Sequence, residues 1–143
     1  MLDVNNIRND FPAFRSKEKN FIYLDSASTS QKPQSVIDSV SSYYSSYAAN
    51  IHRALYEIGE KATDKYENVR DKVKQFMNVP DSHSVIFSRS TTESINLIAY
   101  AWGTKNLSQD DHILITEMEH HSNIVPWQLL ASRSNAPLDY ISL

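Results

Sequence analysis

The chain has 143 residues, 41% hydrophobic and 22% charged, with a net charge of −3, five histidines and no cysteine. This is one domain's worth of an ordinary globular chain, without the basic footprint of a nucleic-acid or anionic-membrane binder. The lack of cysteine excludes disulfides, thiolate metal ligands and a cysteine nucleophile within it, and no apolar run approaches a membrane span.

Residues 1–20 are expected to form an N-terminal helical segment. Val4, Ile7 and Phe11 are weakly periodic, Asp10-Phe11-Pro12 ends the helix, and 17–20 make a polar turn. The start, Met-Leu-Asp-Val-Asn-Asn, carries neither an apolar run nor an Arg-rich presequence, so a cytoplasmic protein is expected. Phe21-Ile22-Tyr23-Leu24 reads as a short strand. The small polar stretch 25–33 is either a surface loop or a place where backbone approaches a ligand. A helix near 34–47 follows, with Val36, Val40, Tyr43 or Tyr44, and Tyr47 on one side. The longest predicted helix, 55–77, sets Ile58, Ala62, Tyr66, Val69, Val73 and Phe76 in one apolar stripe. Its charged residues fall on the other faces, and Asn78-Val79-Pro80-Asp81 stops it.

The stretch from Val85 to Trp102 reads as strand, hydroxyl-rich turn and amphipathic helix. Ile95, Ile98, Ala99 and Trp102 share the apolar face. A turn at a helix start presents free N–H groups and the positive end of the helix dipole, which suits a phosphate. Thr91 and Thr92 add hydroxyl donors. Ser90-x-x-Glu93 is equally a capping box, which accounts for Ser90 and Glu93 without any ligand. A polar connection, 103–111, leads to a strand at 112–116 and then to Glu117-Met118-Glu119-His120-His121-Ser122-Asn123. A helix with Pro126 in its first turn and a third strand at 138–143 complete the chain.

Strand, helix, strand, helix, strand from 85 to 143 is an α/β pattern with a mainly parallel sheet. Ligands in such sheets bind beyond the carboxyl ends of the strands. The 89–93 turn and the 119–121 segment both follow strand ends, on the same edge. His120 and His121 point apart in an extended segment, and without cysteine no metal site is expected. The remaining readings of these histidines are packing at a helix head and an imidazole lying against a flat cofactor whose phosphate reaches Thr91 and Thr92.

Several strings occur in order: Tyr23-Leu24-Asp25-Ser26-Ala27, Gln31-Lys32-Pro33, His52-Arg53, Ala62-Thr63-Asp64, Tyr66-Glu67-Asn68-Val69-Arg70, Thr91-Thr92-Glu93-Ser94-Ile95-Asn96-Leu97, and Met118-Glu119-His120-His121-Ser122-Asn123-Ile124-Val125-Pro126-Trp127. Together they resemble the N-terminal part of a SufS-like cysteine desulfurase, a pyridoxal-phosphate enzyme of the class V aminotransferase family. The last string is the most specific. The resemblance implies that 21–143 is the N-terminal part of a three-layer large domain of pyridoxal-phosphate-dependent transferase fold type I. It implies conversion of L-cysteine to L-alanine, with sulfur held as a persulfide, passed to an acceptor protein and used in iron–sulfur cluster assembly. The cofactor is pyridoxal 5'-phosphate and the complete enzyme a homodimer. Thr91 and Thr92 would bind the cofactor phosphate. His120 would stack on the pyridine ring and take part in proton transfer. Ala27 would lie near the substrate, and His52 near the active site and dimer interface.

The chain departs from the pattern in Ser28 for a second Ala, Ser90 for a frequent Gly, and Asn50 before Ile51-His52. The family's cofactor-holding Lys in a Ser-x-His-Lys context, its ring-nitrogen Asp, its persulfide Cys and its carboxylate-binding Arg have no match here. The 143 residues are therefore expected to be an N-terminal fragment, inactive alone, in which 112–116 and 138–143 can pair while 85–88 loses its strand partner. Two further readings are a non-catalytic or vestigial helical binding module and part of a related pyridoxal-phosphate-dependent selenocysteine lyase.

Overall fold

In the computed structural model, which describes residues 2–15, 21–81 and 83–142, the chain divides into two compact units, Met1–Ser84 and Val85–Leu143. No helix among the described residues is long and apolar enough to cross a membrane.

The first unit is helical. Helix α1 (Val4–Asn9) is capped by Asp3, whose carboxylate accepts from the Asn6 N–H at 3.1 Å. Pro12 cannot continue the ladder, and a 3-10 turn, Pro12–Phe14, follows. The polar turn read at 17–20 lies outside the described residues. The strand predicted at 21–24 does not form. Its aromatic residues pack locally instead: Phe14 and Phe21 centroids are 6.1 Å apart and Phe21 and Tyr23 6.3 Å, and Arg8 donates to the Phe21 carbonyl at 3.1 Å. Side-chain packing and one guanidinium thus take the place of a ladder.

Helix α2 (Gln34–Ser42) begins after Pro33 and widens into a π-helical turn, Tyr43–Tyr47. The extent matches the 34–47 reading. Tyr43 meets Tyr44 and Tyr47 edge-on, at 5.2 and 5.4 Å. Helix α3 (Glu57–Phe76) packs on this turn, with the Lys61 and Lys65 ammonium groups 5.0 and 5.3 Å from the Tyr47 ring centre. Gly59 and Ala62 are its buried positions, while Val69 and Phe76, on the predicted stripe, remain 51% and 92% exposed. Gly59 is required by a close approach, because a Cβ there would lie 2.1 Å from the Ala54 Cβ.

The second unit is α/β. Helix α4 (Thr91–Leu97) runs on through a π-helical turn, Ile98–Gly103, into the short α5 (Thr104–Asn106). Strands β1 (Ile113–Thr116) and β2 (Leu138–Ile141) pair in parallel, Ile113 opposite Leu138 and Thr116 opposite Ile141. Helix α6 (Val125–Ser134) crosses between them. It ends at Asn135, whose φ of 58° suits the left-handed cap that Asn tolerates. Ala99, Ile113, Ile115, Leu130 and Ala136 form the buried core, with Trp127, Ile124 and Leu138 packed around it. The α/β expectation and its parallel sheet hold. Of the three strands predicted here, 85–88 does not form as a strand, and the sheet among the described residues consists of β1 and β2.

Candidate active site

Thr91 and Thr92 occupy the first two positions of α4. Ser90 sits before them with extended backbone, and its hydroxyl accepts from the Glu93 N–H at 3.2 Å. The capping box forms with one change. Glu93 reaches back one residue further than expected, accepting from the Arg89 N–H at 2.6 Å and from the Arg89 guanidinium at 3.1 and 3.2 Å. These donors, the backbone N–H first, hold the Glu93 carboxyl below its ordinary range. The carboxylate beside the helix start is thereby matched by a cation. The Thr91 and Thr92 hydroxyls are exposed and find no partner among the described residues. The N–H groups of the same two residues are among those that an α-helix leaves unbonded at its start. Arg89, Ser90, Thr92, Glu93, Asn96 and Leu97 line an open concavity there.

His120 lies in the same unit, beyond the carboxyl end of β1, and caps a 3-10 turn, His121–Asn123. That turn packs against α4. The His120 Nδ1 accepts from the Ser122 N–H at 3.2 Å and lies 2.9 Å from the Ser122 hydroxyl. A backbone N–H only donates, so in the neutral ring Nδ1 carries the lone pair and Nε2 the proton. The His120 and His121 rings stand edge to face at 6.1 Å. Among the described residues no group of three or more potential metal ligands is gathered.

A polar chain braces this loop. Thr116, the last residue of β1, donates its hydroxyl to Glu119 at 2.8 Å. The Asn123 amide donates to the other Glu119 oxygen at 2.8 Å, and the Trp127 indole donates to the Asn123 carbonyl at 2.8 Å. All four residues are half-buried. Donation from Asn123 first, then Thr116, holds the Glu119 carboxyl below its ordinary range. Sequence reasoning assigned these residues no role. The available signal was the recurrence of Glu119, Asn123 and Trp127 every four residues, the spacing of one face of a helix.

Ala27 and His52 belong to the other unit. Ala27 is exposed in a turn closed by the Ser28 and Thr29 N–H groups on the Asp25 carbonyl, at 3.1 and 3.0 Å. His52 has a φ of 68°, uncommon for a residue other than glycine. Its N–H donates to the Thr63 hydroxyl at 3.0 Å, and its Nε2 lies 3.4 Å from Glu67. The Tyr66 ring meets the imidazole edge-on at 5.8 Å. Two of the predicted site positions, the Thr91-Thr92 pair and His120, are thus joined within one unit through packed elements, and the other two are held by contacts of their own.

The chain belongs to the aminotransferase class-V family, which it matches over residues 22–143. Its curated relatives include a probable cysteine desulfurase of Staphylococcus aureus, 47% identical over 143 residues, and one of Mycolicibacterium paratuberculosis, 49% identical over 140. The chain is covered to 99% and 96% and spans 35% and 20% of those relatives' lengths. Among solved structures, the apo cysteine desulfurase of Thermococcus onnurineus superposes with a TM-score of 0.86 at 34% identity, and a cysteine desulfurase of Escherichia coli with 0.81 at 35%. They are matched over 99% and 100% of this chain and 34% and 35% of theirs.

Families of this kind work with pyridoxal phosphate. The residues present fit the phosphate of that group: two hydroxyls without a partner among the described residues, two helix-start N–H groups and a neighbouring carboxylate already compensated by Arg89.

Proposed function

We propose that this chain is the N-terminal part of a SufS-like, pyridoxal-phosphate-dependent cysteine desulfurase, with 21–143 contributing to the cofactor-binding large domain and the activity belonging to a longer polypeptide. The observation that carries the reading is the pairing of the Thr91-Thr92 helix start with the His120 turn in one unit. The 35% span of the Staphylococcus aureus relative supports the second half of it.

Thr91 and Thr92 would hold the phosphate through hydroxyls and N–H groups, with the helix dipole adding charge complementarity. Ser90 keeps the first turn in shape, and Arg89 keeps Glu93 from repelling the anion. His120, with its proton on Nε2, would face the ring and could give or take a proton at that atom. Pyridoxal phosphate, when bound, supplies the electron sink for bond breaking at the substrate's α-carbon. Ala27 leaves room for substrate beside its turn, and His52 lies near the active site, close to the dimer interface of the complete protein. The substrate is L-cysteine, and the products are L-alanine and a persulfide whose sulfur passes to an acceptor protein for iron–sulfur cluster assembly in the cytoplasm. The persulfide must form outside these residues, which contain no cysteine.

The test compares alanine release from L-cysteine by two proteins: the 143-residue chain alone, and the same chain fused to the residues that follow the matched region in the Staphylococcus aureus relative. With pyridoxal phosphate added, the fusion should release alanine and the chain alone should not. Turnover by the chain alone, or none by a folded fusion, contradicts the proposal.

A further inference from the structure

We propose that Thr63 is the positioning residue for His52. Its hydroxyl relays a hydrogen bond from the His52 N–H to the Gly59 carbonyl, and this latch holds His52 in the left-handed backbone that brings its imidazole to Tyr66 and Glu67. The inference rests on the reading of His52 as a residue near the active site and extends it to what sets that residue's orientation.

The direction of the relay is fixed at both ends. A backbone N–H can only donate, so the Thr63 hydroxyl accepts from His52, at 3.0 Å. A carbonyl can only accept, so the same hydroxyl gives its proton to Gly59, at 2.8 Å. One hydroxyl thus ties the 51–53 turn to the first turn of α3. The tie matters because His52 has a φ of 68°. Left-handed backbone is unfavourable for a residue with a Cβ, by an amount of the same order as the net worth of one hydrogen bond. Removing the hydroxyl removes the restraint. Water can satisfy the N–H at this exposed turn, but water does not hold the turn against α3.

The ring is received by the same helix face. Thr63, Tyr66, Glu67 and Arg70 are spaced three and four apart, as neighbours on one side of a helix are, and all four are half-buried. The Tyr66 ring meets the imidazole edge-on at 5.8 Å, and the Glu67 Oε1 lies 3.4 Å from its Nε2. The Arg70 Nε donates to the other Glu67 oxygen at 3.0 Å and steadies it. Val69 and Phe76, which the hydrophobic pattern would turn inwards, are exposed instead. Over this stretch α3 covers a polar row, and three members of that row meet His52. Valine would serve at position 63 if bulk were the requirement; the hydroxyl is what can accept and donate at once.

NMR of the chain without cofactor reads the latch. In the unsubstituted chain, His52 should show the strong intraresidue amide-to-α-proton contact that marks a positive φ, contacts between its ring protons and those of Tyr66, and slowed amide exchange. Thr63→Val, of nearly the same shape, should lose both kinds of contact and speed exchange at the His52 amide about fivefold, the size of one lost hydrogen bond. Thr63→Ser, which keeps the hydroxyl, should retain all three. The Gly59 and Glu60 amides, which donate to the Tyr56 carbonyl at 2.8 and 3.0 Å, report on the helix start, and their exchange should not change. A folded Thr63→Val chain with the His52 contacts intact overturns the proposal. So does equal acceleration at Gly59 and Glu60, which would mean that Thr63 only steadies α3, and so does an unsubstituted chain without the His52 signature. If Thr63→Val does not fold, His52→Gly is added, because glycine takes left-handed backbone without steric cost. A fold regained supports the latch, and a fold still lost overturns it. No cofactor enters these measurements, so failure here leaves the phosphate reading standing, and a fusion that releases no alanine leaves the latch as measured.

Discussion

Ser90 and Glu93 show how a single residue can satisfy two readings. The Ser90 hydroxyl caps α4, and Ser90→Ala should cost about 1 kcal/mol of stability, measured by denaturant unfolding; no measurable loss contradicts the capping geometry. Glu93 adds a pH dependence of known sign. Its folded-state value lies below the ordinary 4.5 because Arg89 donates to the carboxylate. Its contribution is therefore complete above the ordinary value and is lost as the pH falls through the lowered folded value. The difference in melting temperature between the chain and Glu93→Gln should shrink between about pH 6 and pH 3, and a gap that widens in acid contradicts the assignment. The residues at this turn were legible because capping has a fixed spacing. The shift of the Glu93 contact from Ser90 to the Arg89 N–H was not, since it depends on the backbone path entering the helix. Glu119 was visible only as part of a motif string, because a side-chain hydrogen-bond chain leaves little trace in hydrophobic periodicity.

At the scale of elements, helices were easier to read than strands. Helix α3 formed within two residues of the predicted bounds because its period-3.6 pattern and its stop are local properties. The apolar runs 21–24 and 85–88 have strand composition, yet neither joins a ladder. A strand is a relation between two segments, and residue type alone does not supply the second one. The 112–116 and 138–143 segments have each other, across α6, and there the ladder forms. The junction between Ala54 and α3 gives a test. Gly59→Ala would gain helix propensity, but its Cβ would sit 2.1 Å from that of Ala54. Overpacking of this kind costs about 1–3 kcal/mol, so the melting temperature should fall; a rise would show that the Ala54 loop yields freely.

For the whole molecule, surface area is the informative quantity. Leu24, Leu55 and Phe76 are each more than 90% exposed, and the second unit's sheet has two strands among the described residues. A chain with this much apolar surface open to water should bind the dye ANS strongly, and the fusion described above should bind far less; equal binding would mean that the added residues do not cover these faces. The family, the α/β class and the order of the motifs were all legible in the sequence, while the amount of surface left open was not, because burial depends on what each face meets.

The account's central claim is that Thr91 and Thr92 hold the phosphate of pyridoxal phosphate. Equilibrium binding of the cofactor to the fusion, with and without Thr92→Val, tests it most directly. One lost hydrogen bond to a charged group should weaken binding about 10- to 100-fold, with circular dichroism unchanged. A folded Thr92→Val fusion that binds the cofactor as tightly as the unsubstituted protein would contradict the claim.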